Sequence, residues 1–346
     1  MNHPDGSRIN PGCRTPASRH EIGYLFPMTR YVTLLLSLAL AACKPIPDSP
    51  TGPGTPSGPT DSAGRLAFVG STTEATLQVL VVFPDGTDLV SPIGGSFNNV
   101  APAWSADGTR IAFASNRGSW DIYTVDLATG QVNAIVEGPD NELAPSWSPD
   151  RSRIVFERRM ADGSFDIFIV NADGTNEINV TDSPGSERNP SWAPEGQRIA
   201  FEGRSDLGRS IDIIKIDGTD RVTVTGGEGE WNGAPAWSPD GSRILFESTK
   251  HQGTLGPESS RAYEVFVMDD DGANVTRVTG FATRTRTIRQ PSWSPGGTSI
   301  AFESRDETQF ANTFVFRIWT MNMDGTEVRE IAIAGSARFP RWSPRP

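Results

Sequence analysis

A seven-residue motif recurs along this chain and constrains its fold more than any other feature. One copy reads Pro102-Ala-Trp104-Ser-Ala-Asp-Gly108, and a later copy reads Pro235-Ala-Trp237-Ser-Pro-Asp-Gly241. Successive Trp residues of the motif lie 43 to 56 positions apart, so the motif marks a tandem repeat. The units of such an array bury their apolar faces against one another. The Trp residues of the six copies are Trp104, Trp147, Trp192, Trp237, Trp293 and Trp342.

Each unit continues with three further strand-like segments. In the first complete unit an apolar segment spans Ile111-Ala-Phe113 and an alternating one spans Asp121-Ile-Tyr-Thr-Val125, before a turn at Gly130 and a more polar segment. The chain holds 35 Gly and 27 Pro, which favours many turns and few long helices. A period of this length built from strands predicts four-stranded propeller blades. We name the strands of a unit A to D, with A at the Trp motif.

The two ends of the repeat region carry incomplete units. Residues 65–68 match strand B without a preceding Trp motif, whereas Trp342 lies in a final strand A. Together they make one split blade, numbered blade 1 here, so the prediction is six blades. We expect the C-terminal strand to pair with residues 65–70 and close the ring, because closure removes exposed strand edges. In this numbering, strand C of blade 4 is assigned to Asp212-Ile-Ile-Lys-Ile216.

These motifs carry a family resemblance. Pro-x-Trp-Ser-Pro-Asp-Gly, followed by Ile-Ala-Phe and later by Asp-Gly, resembles the TolB-like (PD40) β-propeller repeat over about residues 64–346. The resemblance implies an all-β, six-bladed propeller. It also implies that the binding partner is a protein segment.

The N-terminal region has the pattern of a targeting segment. Residues 31–42 form an apolar run after Arg30, too short for the roughly 20 residues of a membrane-spanning helix. A basic flank before a short apolar stretch is typical of a secretory signal. Leu40-Ala41-Ala42-Cys43 resembles the bacterial lipobox, which implies that Cys43 becomes the lipidated first residue.

These features predict a division of the chain into four parts. We interpret residues 1–27 as an upstream extension from a misassigned start, and residues 28–42 as a lipoprotein signal peptide. Residues 43–63 are the lipidated Cys and a Pro/Gly-rich tether, and residues 64–346 are the propeller. We expect a lipoprotein of the outer membrane, on the periplasmic side or at the cell surface.

Composition excludes several function classes. The net charge of -11 disfavours nucleic-acid binding, because phosphate backbones repel an acidic chain. After Cys43 the chain has one His, His251, and no Cys, so a His/Cys zinc site is not available. A Ser-His-Asp or Cys-His site would depend on His251 alone. We therefore expect no metal, no cofactor and no catalytic site.

The loops of one face are the candidate recognition surface. Because successive strands alternate in direction, the B–C and D–A connections share a face, and these connections vary in length. The long ones are predicted at about 248–261, 281–290 and 305–313. The entrances to the A strands face the same rim. Our candidate partner-binding residues are Arg284, Arg286, Arg289, Arg338, Glu142, Glu187, Arg188, Asn99 and Asn232.

The sequence leaves three functions open. The first is a non-catalytic module of the cell envelope that binds a protein segment through the loop-rich face, where the arginines would meet acidic groups. The second is a propeller that binds a glycan or small ligand. The third is a lyase or glycosidase that uses carboxylates at the channel mouth, for which Glu142 and Glu187 are the aligned candidates.

Overall fold

The computed structural model describes residues 64–71, 76–206, 208–227, 229–250, 262–280, 286–307 and 314–344. All of them belong to the compact unit Gly54–Pro346. The predicted signal, Cys43, the tether and Arg284 lie outside these ranges, as do most of the loops 248–261 and 305–313, so those assignments stay predictions. Of the predicted loop 281–290, residues 286–290 belong to a strand. Within the described ranges, no helix has the length and apolar character needed to cross a membrane.

The described residues form six antiparallel sheets. Blade 1 contains β1 (Leu66–Gly70), β2 (Gln78–Val82) and β23 (Ala337–Trp342), and blade 2 contains β3 (Asn99–Trp104), β4 (Arg110–Ser115), β5 (Asp121–Asp126) and β6 (Val132–Val136). Blade 3 contains β7 (Glu142–Trp147), β8 (Arg153–Arg159), β9 (Phe165–Asn171) and β10 (Ile178–Asn179). Blade 4 contains β11 (Ser186–Trp192), β12 (Arg198–Ser205), β13 (Gly208–Lys215) and β14 (Val222–Thr225). Blade 5 contains β15 (Asn232–Trp237), β16 (Arg243–Ser248), β17 (Glu264–Asp269) and β18 (Thr276–Arg277), and blade 6 contains β19 (Arg286–Trp293), β20 (Ser299–Glu307), β21 (Phe314–Asn322) and β22 (Arg329–Glu330).

The C-terminal strand closes the ring, as predicted. β23 pairs with β1 so that Trp342 lies opposite Leu66. Just beyond this pair, the backbone N–H of Arg65 donates to Ser343 Oγ at 2.8 Å, and the N–H of Ser343 donates to the carbonyl of Arg65 at 2.7 Å. Trp342 packs with residues of blades 1 and 6, so the split blade is held like its neighbours.

The hydrophobic core lies between neighbouring blades. The Phe of the Ile-x-Phe segment is fully buried in every B strand. Trp147 packs against Ile122 of blade 2 and Ile154 of blade 3, which confirms that the motif's Trp fills the junction between blades. An Arg just before the Ile of strand B stacks on the Trp of the next blade. These stacked pairs are Arg110 and Trp147, Arg153 and Trp192, Arg198 and Trp237, and Arg243 and Trp293.

The A strands surround the central axis, because each contacts the A strand of the next blade. Each also contains an irregular pairing at the residue before its Pro, where φ lies near +50°. Such a φ is uncommon for non-Gly residues, and a following Pro favours extended backbone instead. The residues that adopt it are Ala101, Ala144, Asn189, Ala234, Gln290 and Phe339. We call these positions the bulge residues.

Exposure along the A strands indicates a central channel. In β7 the first, fourth and sixth residues are buried, whereas the second, third and fifth are partly exposed, and β23 repeats this pattern. Residues on the innermost strands can be exposed only towards the axis. In every A strand we number positions so that the motif's Trp is the sixth, and the second, third and fifth positions therefore line a channel.

The pairing of blade 4 corrects one assignment made from the sequence. Ile199 pairs with Ile214, just as Ile154 pairs with Val170 in blade 3. Strand C of blade 4 is therefore shifted by two residues, and Asp212 occupies the position that Phe168 holds in blade 3. Arg221 compensates this buried carboxylate, with Nη2 2.8 Å from Asp212 Oδ2.

Candidate functional site

Four of the six blade junctions contain the same group of three side chains at the channel. An aromatic ring, an arginine and a buried glutamate meet there, and we call each group a triplet. The triplets are Phe165, Arg188 and Glu157 between blades 3 and 4; Trp231, Arg209 and Glu202 between blades 4 and 5; Tyr263, Arg289 and Glu247 between blades 5 and 6; and Phe316, Arg338 and Glu303 between blades 6 and 1.

The triplet between blades 5 and 6 shows the geometry most clearly. Arg289 Nη2 lies 2.6 Å from Glu247 Oε1, and its Nε donates to the same oxygen at 3.0 Å. The guanidinium carbon lies 4.5 Å from the ring centre of Tyr263. The arginine is thus held by charge on one side and by a π face on another. Its side chain stays 14% exposed, so an edge faces the channel.

The glutamates also bind the bulges. Glu247 Oε2 accepts the backbone N–H of Gln290 at 3.0 Å, and Glu303 Oε2 accepts that of Phe339 at 2.9 Å. Glu157 Oε2 accepts the N–H of Asn189 at 2.7 Å. A bulge takes one backbone group out of the ladder, and a buried N–H needs another acceptor. Each carboxylate therefore joins strand B of one blade to strand A of the next.

The triplet between blades 4 and 5 is built differently. Arg209 comes from strand C, at the position that is aromatic in blades 3 and 5, and its Nη1 lies 2.9 Å from Glu202 Oε1. It stacks on Trp231 at 4.6 Å. The usual arginine position holds Gly233, because a Cβ there would lie only 2.5 Å from Glu202 Oε2.

The remaining two junctions carry no triplet among the described residues. Val69 and Ala114 occupy the glutamate position, and Val100 and Leu143 occupy the arginine position of strand A. Phe97 precedes β3 with 39% of its surface exposed, and the guanidinium carbon of Arg117 lies 5.6 Å from its ring centre. We call this side of the channel mouth, on blades 1 to 3, the apolar half, and the side that carries the triplets the arginine half.

Comparison with protein families agrees with this architecture. A family model described as the TolB beta propeller domain matches residues 62–346. The chain belongs to the TolB β-propeller family. A search of curated protein sequences gave no match.

Solved structures confirm the TolB-like fold. TolB from Acinetobacter baumannii is 23% identical, with a TM-score of 0.65, over 83% of this chain and 68% of that one. A putative TolB from Agrobacterium tumefaciens is 22% identical, with a TM-score of 0.63, over 80% of this chain and 91% of that one. A chain of a nidogen/laminin complex is 10% identical, with a TM-score of 0.61, and covers 81% of this chain and 98% of that one. At these identities the likeness concerns the fold.

The TolB-like ring brings three of the predicted site residues together at the channel: Arg188, Arg289 and Arg338 take the second position of their A strands. Arg286 begins β19, and Arg284 lies outside the described residues. The other four predicted residues are Asn99, Glu142, Glu187 and Asn232.

Those four stand at the first position of their A strands but are fully buried between blades. Asn99 Nδ2 donates to Gln78 Oε1 at 2.9 Å, and Glu142 accepts from Arg158 Nε at 2.7 Å. The expectation that they present a ring to solvent is corrected by this burial, because each side chain lies between blades. One side-chain oxygen of each residue makes no hydrogen bond among the described residues. Their part in partner binding stays a prediction, but as buried residues they would support the binding surface from beneath.

Several buried carboxylates of this TolB-like propeller have raised pKa values. Burial raises the pKa of Glu157, and the nearby carboxylate of Glu202 acts in the same direction, whereas Arg188 opposes them. Asn189 joins the two carboxylates, since its backbone N–H reaches Glu157 and its Nδ2 donates to Glu202 Oε2 at 3.3 Å. Burial also raises the pKa of Glu142 and Glu187, which lie in separate junctions.

Sequence reasoning missed the four glutamates of the triplets. A signal for them was present: Glu follows the Phe of Ile-x-Phe in four units and is absent where the next strand A carries Val or Leu in place of Arg. The residues in question are Glu157, Glu202, Glu247 and Glu303.

Proposed function

We propose that this TolB-like propeller is a non-catalytic binding module that takes a protein segment at its channel mouth. The observation that carries the proposal is the division of the mouth into an arginine half and an apolar half. A segment with acidic side chains on one side and apolar side chains on the other complements both halves. TolB-like propellers bind other proteins, which supports a protein partner.

Arg188 is the arginine of the mouth with most capacity left for a ligand. It stacks on Phe165 at 3.6 Å, yet among the described residues it makes no ion pair within 4 Å. Its buried Nε has no hydrogen-bond acceptor there. An acidic side chain of a partner would supply the missing acceptor, and charge-assisted bonds of this kind are the strong ones.

The location of the module is part of the same proposal. Lipid on Cys43 would hold the protein at a membrane of the cell envelope, and residues 43–63 would let the propeller reach a partner from that surface. The lipobox-like sequence and the six prolines between 44 and 63 support this part of the proposal.

Photocross-linking from two exposed apolar positions tests the proposal. A photoreactive residue replaces Phe97 at the mouth or, as the matched control, Val222 on the outer edge of blade 4, which is 55% exposed. In intact envelopes we expect one protein to be captured from position 97 and not from position 222. Arg188→Gln should reduce that capture, whereas Arg151→Gln on the opposite face should not.

Equal capture from both positions would contradict the proposal. Capture of carbohydrate alone from position 97 would replace it with the glycan-binding alternative.

A further inference from the structure

One position on the channel wall departs from the repeat. The fifth residue of strand A is small in five blades and is Arg341 in blade 1. Five small side chains around the axis leave room at this level, and one long cationic side chain enters it. The small residues are Ala103, Ser146, Ser191, Ala236 and Ser292.

Arg341 extends along the channel wall to the adjacent A strand of blade 6. Its Nη2 donates to Gln290 Oε1 at 3.1 Å, and its Nη1 donates to the carbonyl of Pro340 at 2.9 Å. Both acceptors are neutral. Among the residues that the structure describes, no carboxylate oxygen lies within 4 Å of the guanidinium nitrogens of Arg341.

The nearest carboxylates are already engaged. Glu303 and Glu247 act on Arg341 only at longer range. Glu247 is bound by Arg289 and by the N–H of Gln290, and Glu303 accepts the N–H of Phe339 and faces Arg338. At the level of Arg341 the channel therefore carries one cation with which no anion of the described residues pairs directly.

The surroundings favour an anion as the missing partner. Burial lowers the pKa of Arg341 to about 10, so the side chain is still charged at neutral pH. The side chain is only partly exposed in the channel, and a cation with reduced access to water is stabilised by a counter-charge. Ser292 Oγ and Ser146 Oγ accept the backbone N–H of Trp342 and Trp192, so their hydroxyl hydrogens can be donated into the channel.

We propose that Arg341 forms a binding site for a small carboxylate anion within the channel. A guanidinium presents parallel N–H groups that match the two oxygens of a carboxylate, and its single charge balances a monoanion. The site lies deeper than the triplets and does not depend on a protein partner at the mouth. It therefore goes beyond the function proposed above.

Thermal unfolding of the full chain in sodium acetate tests the site. Arg341→Ser repeats the residue of three other blades, so the ring should still fold. For a chain of this size we expect 0.1 M acetate to raise the Tm of the wild type by about 2 °C or more over 0.1 M chloride. Arg341→Ser should lose this difference, whereas Arg151→Ser, which removes an exposed arginine on the turn face, should keep it.

A second readout separates ligand binding from a structural role. Without acetate, Arg341→Ser should unfold at the same temperature as the wild type or higher, because it loses a cation without a counter-charge. If Arg341 had a structural role instead, Arg341→Ser would clearly lower the unfolding temperature.

The source of the carboxylate is distinguished by two short peptides. One is N-acetyl-trialanine with a free C-terminus and the other is its amide. If only the free-acid peptide raises the Tm, the site takes a peptide carboxylate; if acetate raises the Tm and neither peptide does, it takes a small free acid. The site is refuted if Arg341→Ser keeps the acetate response, if chloride stabilises as well as acetate does, or if the wild type responds to none of these anions. Partner capture from position 97 is measured separately, so either proposal can fail alone.

Discussion

The Arg289–Glu247 pair shows how a single residue of the channel depends on its neighbour. The pair is largely buried, and removing one partner from a buried pair leaves the other charge without compensation. At the junction between blades 2 and 3, the same two positions hold Ala114 and Leu143, which belong to one apolar cluster. The chain therefore contains its own apolar substitute for a triplet.

Glu247→Gln should lower the free energy of unfolding by roughly 2–4 kcal/mol, because Arg289 loses its counter-charge while Gln can still accept from Gln290 N–H. The double variant Glu247→Gln and Arg289→Leu, which keeps this acceptor and removes the uncompensated cation, should recover most of this loss. Urea unfolding measures both. A double variant less stable than the single one would show that the charge itself is needed.

Glu157 makes stability depend on pH in the opposite direction to an ordinary surface carboxylate. Its pKa is raised by burial, so between the unfolded value near 4.5 and the higher folded value the native state binds more protons than the unfolded state. Stability therefore rises as the pH falls through this window. Glu157→Gln should be more stable than the wild type at pH 7, and the gap should narrow towards pH 4.5. Chemical unfolding across this range checks it; a gap that widens on acidification would contradict the assignment.

At the scale of the strands, the sequence predicted the order and type of the elements well. Ile-x-Phe segments and Trp motifs recur with fixed spacing, so strands A and B could be aligned in every blade. Strand C of blade 4 was misplaced because a β-strand repeats every two residues. A shift of two residues preserves which side chains face inwards, and Asp212 resembles Asp121 and Asp166 of strand C in blades 2 and 3. Only the pairing of Ile199 with Ile214 resolves it.

The bulges and triplets could not be predicted from local pattern, because their contacts cross between blades. In three of the triplets the Glu and the Arg lie more than thirty residues apart, so the recurrence of Glu after Ile-x-Phe marks the position without identifying the residue that it contacts. Of the predicted polar residues, those at the first position of strand A proved buried, and those at the second position line the channel. The bulge puts the second and third positions on the same side of the strand, which simple alternation does not anticipate.

Gly233 tests the fit between strands of adjacent blades. Gly233→Ala should cost about 1–3 kcal/mol, because the new Cβ would meet Glu202 Oε2, which Arg209 holds in place. Gly94→Ala is the control, since a Cβ there meets nothing within 4 Å. Thermal unfolding of the two variants distinguishes them. Equal stability would show that Glu202 moves aside freely.

At the scale of the whole molecule, the ring depends on its last strand. Chain ends usually fray unless they are packed, yet Trp342 is buried as fully as Trp147 inside the array. Trp342→Ala and Trp147→Ala should therefore cost similar amounts, about 3–5 kcal/mol each by the usual loss for a buried aromatic. Urea unfolding compares them. A small effect at Trp342 alone would mean that the closing strand is loosely held.

The closed ring also fixes the asymmetry of the mouth, because the arginine half runs across the closure from blade 6 to blade 1. The repeat alone implies six similar junctions. The four glutamates and their arginines make the junctions unequal, and this inequality gives the mouth its two chemically different halves.

The affinity of the protein captured at the mouth tests this account most directly. Its Kd is measured by calorimetry for two mouth variants, Arg188→Gln and Phe97→Ser, and for two controls elsewhere, Arg151→Gln and Val222→Ser. The account predicts that each mouth variant weakens binding about tenfold or more, since one substitution removes a charged contact and the other an apolar one, while both controls bind like the wild type. Unchanged affinity in both mouth variants, or equal losses in all four, would contradict it.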